Sequence, residues 1–472
     1  MSIRNLFTAR DMTQGSPWKR IMEFAMPMLL GNFAQQLYNT ADSVIVGIYV
    51  GDNALAAVGS ANPIMFLLMA LLVGVSTGAG IVISQRFGAR DREGLSVAIG
   101  NCIVLAAIAT VVIMILGTLI TRPLLQLLDT PASIIDWSAS YLQIFFLGIA
   151  GFFFYNILSG VLRGLGDSFS ALLFLLVSAA LNVALDLLFV AKFGMAVDGV
   201  ALATVIAQTI SAVLCALKLM RMRDVFDLNR GTLRLIPAEA LNILRIGIPS
   251  GITQAIMAAA GMVVQTLTNS MGEMVIACNV IIMRVDGFAM LPNMTFGQAL
   301  SVYTGQNVGA AKFDRVHKGV KQGSILGFVT SAAITLILLL FGRYLFAIFT
   351  DTQELIELSV KMMQVLAVGY ICVSVTQVLG GVMRGAGDTV TPMWISLIST
   401  ILLRVPTAYL VAAMTKSAEY PNGHPVSIFT SLLVSWCLGM VITLVVFATG
   451  KWKKKMYSSA KANGYTESIE ED

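Results

Sequence analysis

The chain has 472 residues, 57% of them hydrophobic and only 12% charged, with a mean hydropathy of +0.81 and a formal net charge of +5. A water-soluble protein of this length carries about twice that share of charged side chains, so a soluble domain is excluded. The small basic excess sits in short loops, which argues against a nucleic-acid partner.

The first stretch, MSIRNLFTARDMTQGSPWKR, is polar and basic for too long to begin a secretory signal, and no small-residue cleavage site follows the apolar run that starts near Ile21. Insertion without processing is expected. Apolar runs long enough to cross a hydrocarbon core as helices then recur. Twelve spans are read, at roughly 20–50, 54–85, 96–120, 137–162, 169–191, 196–220, 241–270, 275–305, 319–342, 356–383, 390–414 and 426–449. The short alternating segments of a β-barrel do not occur. The first, second, seventh and eighth spans exceed a straight crossing, and Pro27 and Pro249 are expected to bend two of them.

Loops alternate in charge along the chain. One set carries Lys19 and Arg20, then Arg86, Arg90 and Arg92, then Arg163, then Arg221, Arg223 and Arg230, then Lys312, Arg315 and Lys318, then Arg384, and finally Lys451, Lys453, Lys454 and Lys455. The other holds only Arg122, Lys192, Arg343, Lys361 and Lys416. The positive-inside rule puts the first set and both termini in the cytoplasm, in a plasma membrane that is expected to be a bacterial inner membrane.

The sequence also repeats itself. Gly160-Val-Leu-Arg-Gly-Leu-Gly-Asp167 returns as Gly381-Val-Met-Arg-Gly-Ala-Gly-Asp388, and Gln85-Arg-Phe-Gly-Ala89 returns at the same spacing as Gln306-Asn-Val-Gly-Ala310. Ile21-Met-Glu-Phe-Ala-Met-Pro27 resembles Ile243-Leu-Arg-Ile-Gly-Ile-Pro249 at nearly that spacing. Three separated matches at one interval mark a duplication. The expected fold class is all-α and polytopic: twelve transmembrane helices as two six-helix bundles related by a pseudo-twofold axis along the membrane normal. The divisions are 1–220 as N-lobe, 221–238 as cytoplasmic linker, 239–450 as C-lobe and 451–472 as a polar cytoplasmic tail. In the Gly-rich turns the Asp is expected to cap the following helix.

Ionisable groups inside a membrane are costly, so each is a functional candidate. Asp42, Asp186, Asp286, Arg284 and Arg404 qualify. Asp42 in the first span, Asp186 in the fifth and Thr204 in the sixth all lie roughly 8–12 Å below the outer surface. Asn182 lies one turn deeper than Asp186 on the same face. In the repeat, Leu403 and Thr407 stand where Asn182 and Asp186 would be, so the acidic group belongs to one half only. Two close carboxylates in low dielectric either share a proton or hold a cation. Asp286 and Arg284 are two residues apart, on different helix faces, and the contacts of these two and of Arg404 with substrate or with other helices stay open.

Other motifs mislead. Gly74-Val-Ser-Thr-Gly78 fits a nucleophile elbow, but no strand precedes it, and its small residues suit close helix packing. Asn293-Met-Thr295 fits a glycosylation sequon inside a span. No nucleotide-binding loop occurs, His317 and His424 fall in loops, and the five cysteines lack metal-ligand spacing. Among the 25 methionines, Met257, Met262, Met283, Met290 and Met294 fall in spans expected to border a cavity. No enzyme is indicated.

On these residues the chain resembles the multidrug and toxic compound extrusion (MATE) family, over almost its whole length, and its DinF-like branch in particular. The resemblance implies a secondary active exporter without cofactors, acting as a monomer in the lipid bilayer. It would antiport amphipathic or cationic drugs against H⁺ or Na⁺. By the same resemblance, Asp42, Asn182, Asp186 and Thr204 would bind the coupling ion, with Na⁺ as the metal if one binds, and Pro27 would bend the first helix. Gln35, Tyr38 and Asn156 correspond to cavity-lining positions, with Met257, Asp286 and Arg284 added as further cavity candidates. Met257 stands where the NorM-type branch has a Glu. The alternative is a lipid-linked precursor flippase of the same superfamily, which would favour an Arg- and Lys-rich cavity.

Overall fold

The structure, a computed structural model, describes residues 9–49, 52–128 and 130–465, with the side chains of 38–48, 52–56, 62, 63 and 71 outside that description. Regular structure among the described residues is helical throughout. In chain order the α-helices are α1 (Pro17–Tyr49), α2 (Asp52–Gly88), α3 (Arg92–Leu127), α4 (Ile135–Leu147), α5 (Ile149–Gly164), α6 (Ser168–Asp186) and α7 (Val197–Met220). After the linker come α8 (Pro237–Ser270), α9 (Glu273–Gly309), α10 (Phe313–Ala347), α11 (Gln353–Ala367), α12 (Gly369–Gly385), α13 (Val390–Ser396), α14 (Val405–Met414), α15 (Val426–Ala448) and α16 (Lys451–Ala462). Two π-helical segments interrupt this series, Leu187–Lys192 directly after α6 and Leu397–Arg404 between α13 and α14.

Nine of the described helices are long and apolar enough to cross a membrane, and two bent pairs raise the number to eleven. With α1 they account for the expected spans. Each bent pair corresponds to one expected span. Here α4 and α5 meet at 53°, and α11 and α12 at 43°. The breaks fall at Gly148 and at Val368, next to Gly369, and the two glycines occupy equivalent places in the two copies of the repeat. A Cβ on Gly148 would strike the Val205 side chain, and one on Gly369 the indole of Trp436. A neighbouring helix therefore needs the bare backbone, and the missing side chain leaves the helix free to kink there.

The Gly-rich turns carry the caps expected of them. Asp167 accepts from Ser170 N at 2.9 Å and from Ser170 Oγ at 2.7 Å. Asp388 repeats the pattern on Thr391, at 3.2 Å and 2.7 Å. Gly166 (φ +83°) and Gly387 (φ +92°) make the left-handed step just before each cap.

The chain divides into two compact units: unit 1 is Met1–Asp11 with Met26–Gly251, and unit 2 is Met12–Ala25 with Ile252–Asp472. The divisions fall inside α1 and α8, next to Pro27 and Pro249, rather than in the linker. In unit 1, α2 packs on the first half of α8 through glycines: a Cβ on Gly74 would lie 2.6 Å from Gly251 Cα, and one on Gly78 2.7 Å from Gly247 Cα. This is the close packing that the Gly74–Gly78 motif suits. In unit 2, Gln306 Oε1 accepts from Met12 N at 2.8 Å, Asn307 Nδ2 donates to Met12 O at 3.3 Å, and Arg315 reaches Gly15 O at 2.9 Å. The Gln306-Asn-Val-Gly-Ala310 motif is thus a clamp for the segment leading into α1.

Candidate functional site

Unit 1 holds its polar group on α6 and α7. Asn182 and Asp186 lie one turn apart and are 1% and 0% exposed. In the orientation that satisfies both ends of its amide, Asn182 Nδ2 donates to Asp186 Oδ2 at 2.8 Å, and its oxygen accepts from Thr204 N at 3.1 Å. The amide thereby bridges the carboxylate on α6 to α7. Thr204 Oγ1 lies 3.2 Å from the same amide and donates to Val200 O at 3.0 Å.

Asp186 is the last α-helical residue before the π-helical turn Leu187–Lys192. A π turn widens the helix and loosens the regular backbone ladder, and such turns cluster at functional positions. Hydropathy gave no warning of it. The Asn182, Asp186 and Thr204 side chains offer a carboxylate, an amide and a hydroxyl. Oxygen donors of this kind suit a proton or a hard monovalent cation. Among the described residues no cluster of three or more His, Cys, Asp or Glu forms.

The remaining candidates fall in different places. The Asp42 and Tyr38 side chains on α1 lie outside the described residues. Pro27 sits inside α1, and Gln35 on the same helix is exposed. Asn156 on α5 is half-buried; its Nδ2 donates to Phe152 O at 2.8 Å, while its own carbonyl accepts from Ser76 Oγ at 2.8 Å. In unit 2, Asp286 on α9 accepts from Tyr370 OH on α12 at 2.9 Å. Arg284, two residues earlier, is exposed and does not line the cavity that Asp286 lines.

That cavity has a volume of about 410 Å³ and lies wholly within unit 2. Met257, Met283, Met290 and Met294 line it, together with Trp436, Arg384 and Arg404. The sequence alone marks the methionines, Asp286 and Arg404 as candidates, but not Tyr370, Arg384 or Trp436. Tyr370 and Asp286 are 84 residues apart, so no local pattern joins them.

A duplicated set of bent, membrane-length helices with polar groups buried inside each unit defines a polytopic helical membrane protein. The MatE family model matches the chain twice, over residues 27–188 and 249–410, one match for each half. The chain belongs to the MATE family of transporters. It is 30% identical to "Probable multidrug resistance protein YpnP" of Bacillus subtilis over 448 residues, covering 94% of this chain and 98% of that one. It is 28% identical to "Probable multidrug resistance protein YoeA" of Bacillus subtilis over 450 residues, covering 93% and 95%. Among solved structures, a MATE transporter in complex with MaL6 superposes with a TM-score of 0.87 at 22% identity, covering 96% of this chain and 99% of that one. An outward-facing multidrug resistance MATE transporter gives 0.87 at 23% identity. These likenesses establish the fold.

Proposed function

We propose that this chain is a secondary active exporter of amphipathic, cationic drugs, driven by H⁺ or Na⁺ entering against them. The names of its curated relatives, which are called multidrug resistance proteins, support the export of drugs. The observation that carries the coupling reading is the wholly buried Asp186, tied through Asn182 to Thr204 at a π-helical junction. A buried carboxylate with a fixed hydrogen-bond frame is costly unless it has a proton, a cation or a cationic ligand to receive.

Asp42 on α1 joins this group in the proposal. With the carboxylates ionised, the N-lobe attracts a cationic substrate from the cytoplasm or inner leaflet. After the outward turn, H⁺ or Na⁺ neutralises them, the attraction is lost, and α1 bends at Pro27. The two states bind the ion and the substrate with different strength, and this difference couples their fluxes.

Efflux from proteoliposomes under separately imposed proton and sodium gradients tests the reading. One of the two gradients should drive export, and both Asp186→Asn and Asp42→Asn should abolish it with expression intact. Export that persists in either variant would overturn the site.

A further inference from the structure

Unit 2 lines its cavity with charged side chains of both signs. Three ionisable side chains line its cavity among the described residues, one acid (Asp286) and two bases (Arg384 and Arg404). The acid is already engaged, since Tyr370 OH donates to it at 2.9 Å. The bases are not. Arg404 Nε is buried with no hydrogen-bond partner, and among the described residues no hydrogen bond or carboxylate contact satisfies Arg384. Asp286 and Arg404 are near enough to attract one another, yet they form no direct ion pair.

The internal repeat sharpens the contrast. Arg163, the counterpart of Arg384, reaches Ser76 Oγ at 3.5 Å. The position matching Ser76 in the second copy is Gly297, which has no side chain to offer. Val183 stands where the second copy has Arg404, and Met65 where it has Asp286. This charge set therefore does not follow from the shared fold. Arg404 also closes the π-helical segment Leu397–Arg404, an irregular stretch in the middle of a span. A guanidinium carries five N–H donors in a planar fork, fits a carboxylate or phosphate with two parallel bonds, and is costly to leave unpaired away from water.

We infer that the unit 2 cavity binds amphipathic molecules by an acidic group, a carboxylate or phosphate, placed against Arg404, with their apolar body along Met257, Met283, Met290 and Trp436. The exporter reading supplies only the direction in which such a ligand would travel; binding at equilibrium stands apart from it.

The test uses the purified full chain in phosphatidylcholine nanodiscs, titrated with 1-pyrenebutyrate, its methyl ester and 1-pyrenebutyltrimethylammonium and followed by fluorescence. The acid should bind about tenfold or more tighter than the ester, the scale of one charge-assisted hydrogen-bonded pair. Arg404→Gln should erase that preference, Arg404→Lys should keep part of it, and Asp286→Asn should leave it in place. Gly261 lines the cavity, and a Cβ there meets nothing within 4 Å, so Gly261→Phe should fold, fill the space and weaken all three probes. Adding phosphatidylglycerol to the nanodiscs separates the sources: competition with the acid assigns the site to a lipid headgroup, and unchanged affinity assigns it to a free acid. Equal binding of acid and ester, or an acid preference that survives both Arg404→Gln and Gly261→Phe, would overturn the inference. Acid binding without any cation-driven drug efflux would sink the exporter reading and leave this one standing.

Discussion

Tyr370 donates its phenolic hydrogen to Asp286 Oδ1 at 2.9 Å, and this bond helps tie α12 to α9 beside the unit 2 cavity. Tyr370 is itself fully buried, packed near Trp436 with ring centroids 5.6 Å apart and ring planes tilted by 44°. Tyr370→Phe keeps the ring and removes the donor. It should cost about 1–3 kcal/mol of stability, because the carboxylate is left without that bond away from bulk water. Asp286→Asn retains an acceptor and should cost less. Thermal unfolding of the two variants in the same detergent checks the order.

The Asn182 bridge should matter beyond its own chemistry. Asn182→Ala removes the amide that joins Asp186 to Thr204, so the carboxylate remains but its orientation is lost. Drug resistance in cells expressing Asn182→Ala should fall nearly as far as in Asp186→Asn. Thr204→Val, which leaves the Asn182–Asp186 bond intact, should retain a measurable share. Equal resistance in Asn182→Ala and wild type would mean that the bridge has no part in coupling.

The kink glycines make a matched pair of tests. Gly148→Ala and Gly369→Ala each drive a Cβ into a packed neighbour, Val205 in one case and Trp436 in the other. Overpacking of this kind costs about 1–3 kcal/mol. Adding Val205→Ala should rescue Gly148→Ala and do nothing for Gly369→Ala. The melting temperatures of the two single variants and the two double variants decide the matter.

Arg92, at the start of α3, grips Asp227 in the linker with two parallel bonds, Nε to Oδ2 at 2.8 Å and Nη2 to Oδ1 at 2.9 Å. Hydrogen bonding from Arg92 holds the Asp227 carboxyl below the usual carboxylate range. Its folded value is depressed, so its contribution is present at neutral pH and fades as pH falls through that depressed value. Hydrogen exchange across 223–232 should be faster in Asp227→Asn than in wild type at neutral pH, and the difference should shrink in strong acid. The pair is exposed, so global stability should barely move.

Much of the fold was legible in the sequence. Hydropathy marks runs of apolar residues, and that suffices to find helices of membrane length. The caps at Asp167 and Asp388 were legible because a cap is set within three residues of its helix. The kinks were not, because hydropathy is blind to how closely Val205 or Trp436 approaches a glycine. Nor were the unit boundaries, since the helical pattern of α1 and α8 runs on through Pro27 and Pro249. In the site, the Asn182–Asp186 spacing already implied a shared face, and the structure adds the amide bridge and the π turn. Tyr370 and Arg384 were missed for different reasons. A lone tyrosine in an apolar span carries no signal until its distant partner is known. Arg384 sits in a turn motif whose counterpart Arg163 has a neighbouring hydroxyl, and the position that would supply that hydroxyl to Arg384 is Gly297, far away along the chain.

Each compact unit is completed by a piece of chain that comes from the other half of the sequence: Met12–Ala25 belongs with unit 2, and the first turns of α8 belong with unit 1. Two copies of one half-length polypeptide that traded their leading segments would have this form, and joining them end to end would preserve the trade. Cutting the gene within the linker would therefore yield fragments that each lack a segment of their own unit and hold a segment of the other's. Neither fragment alone should fold to completion, while both made together have the means to restore each other.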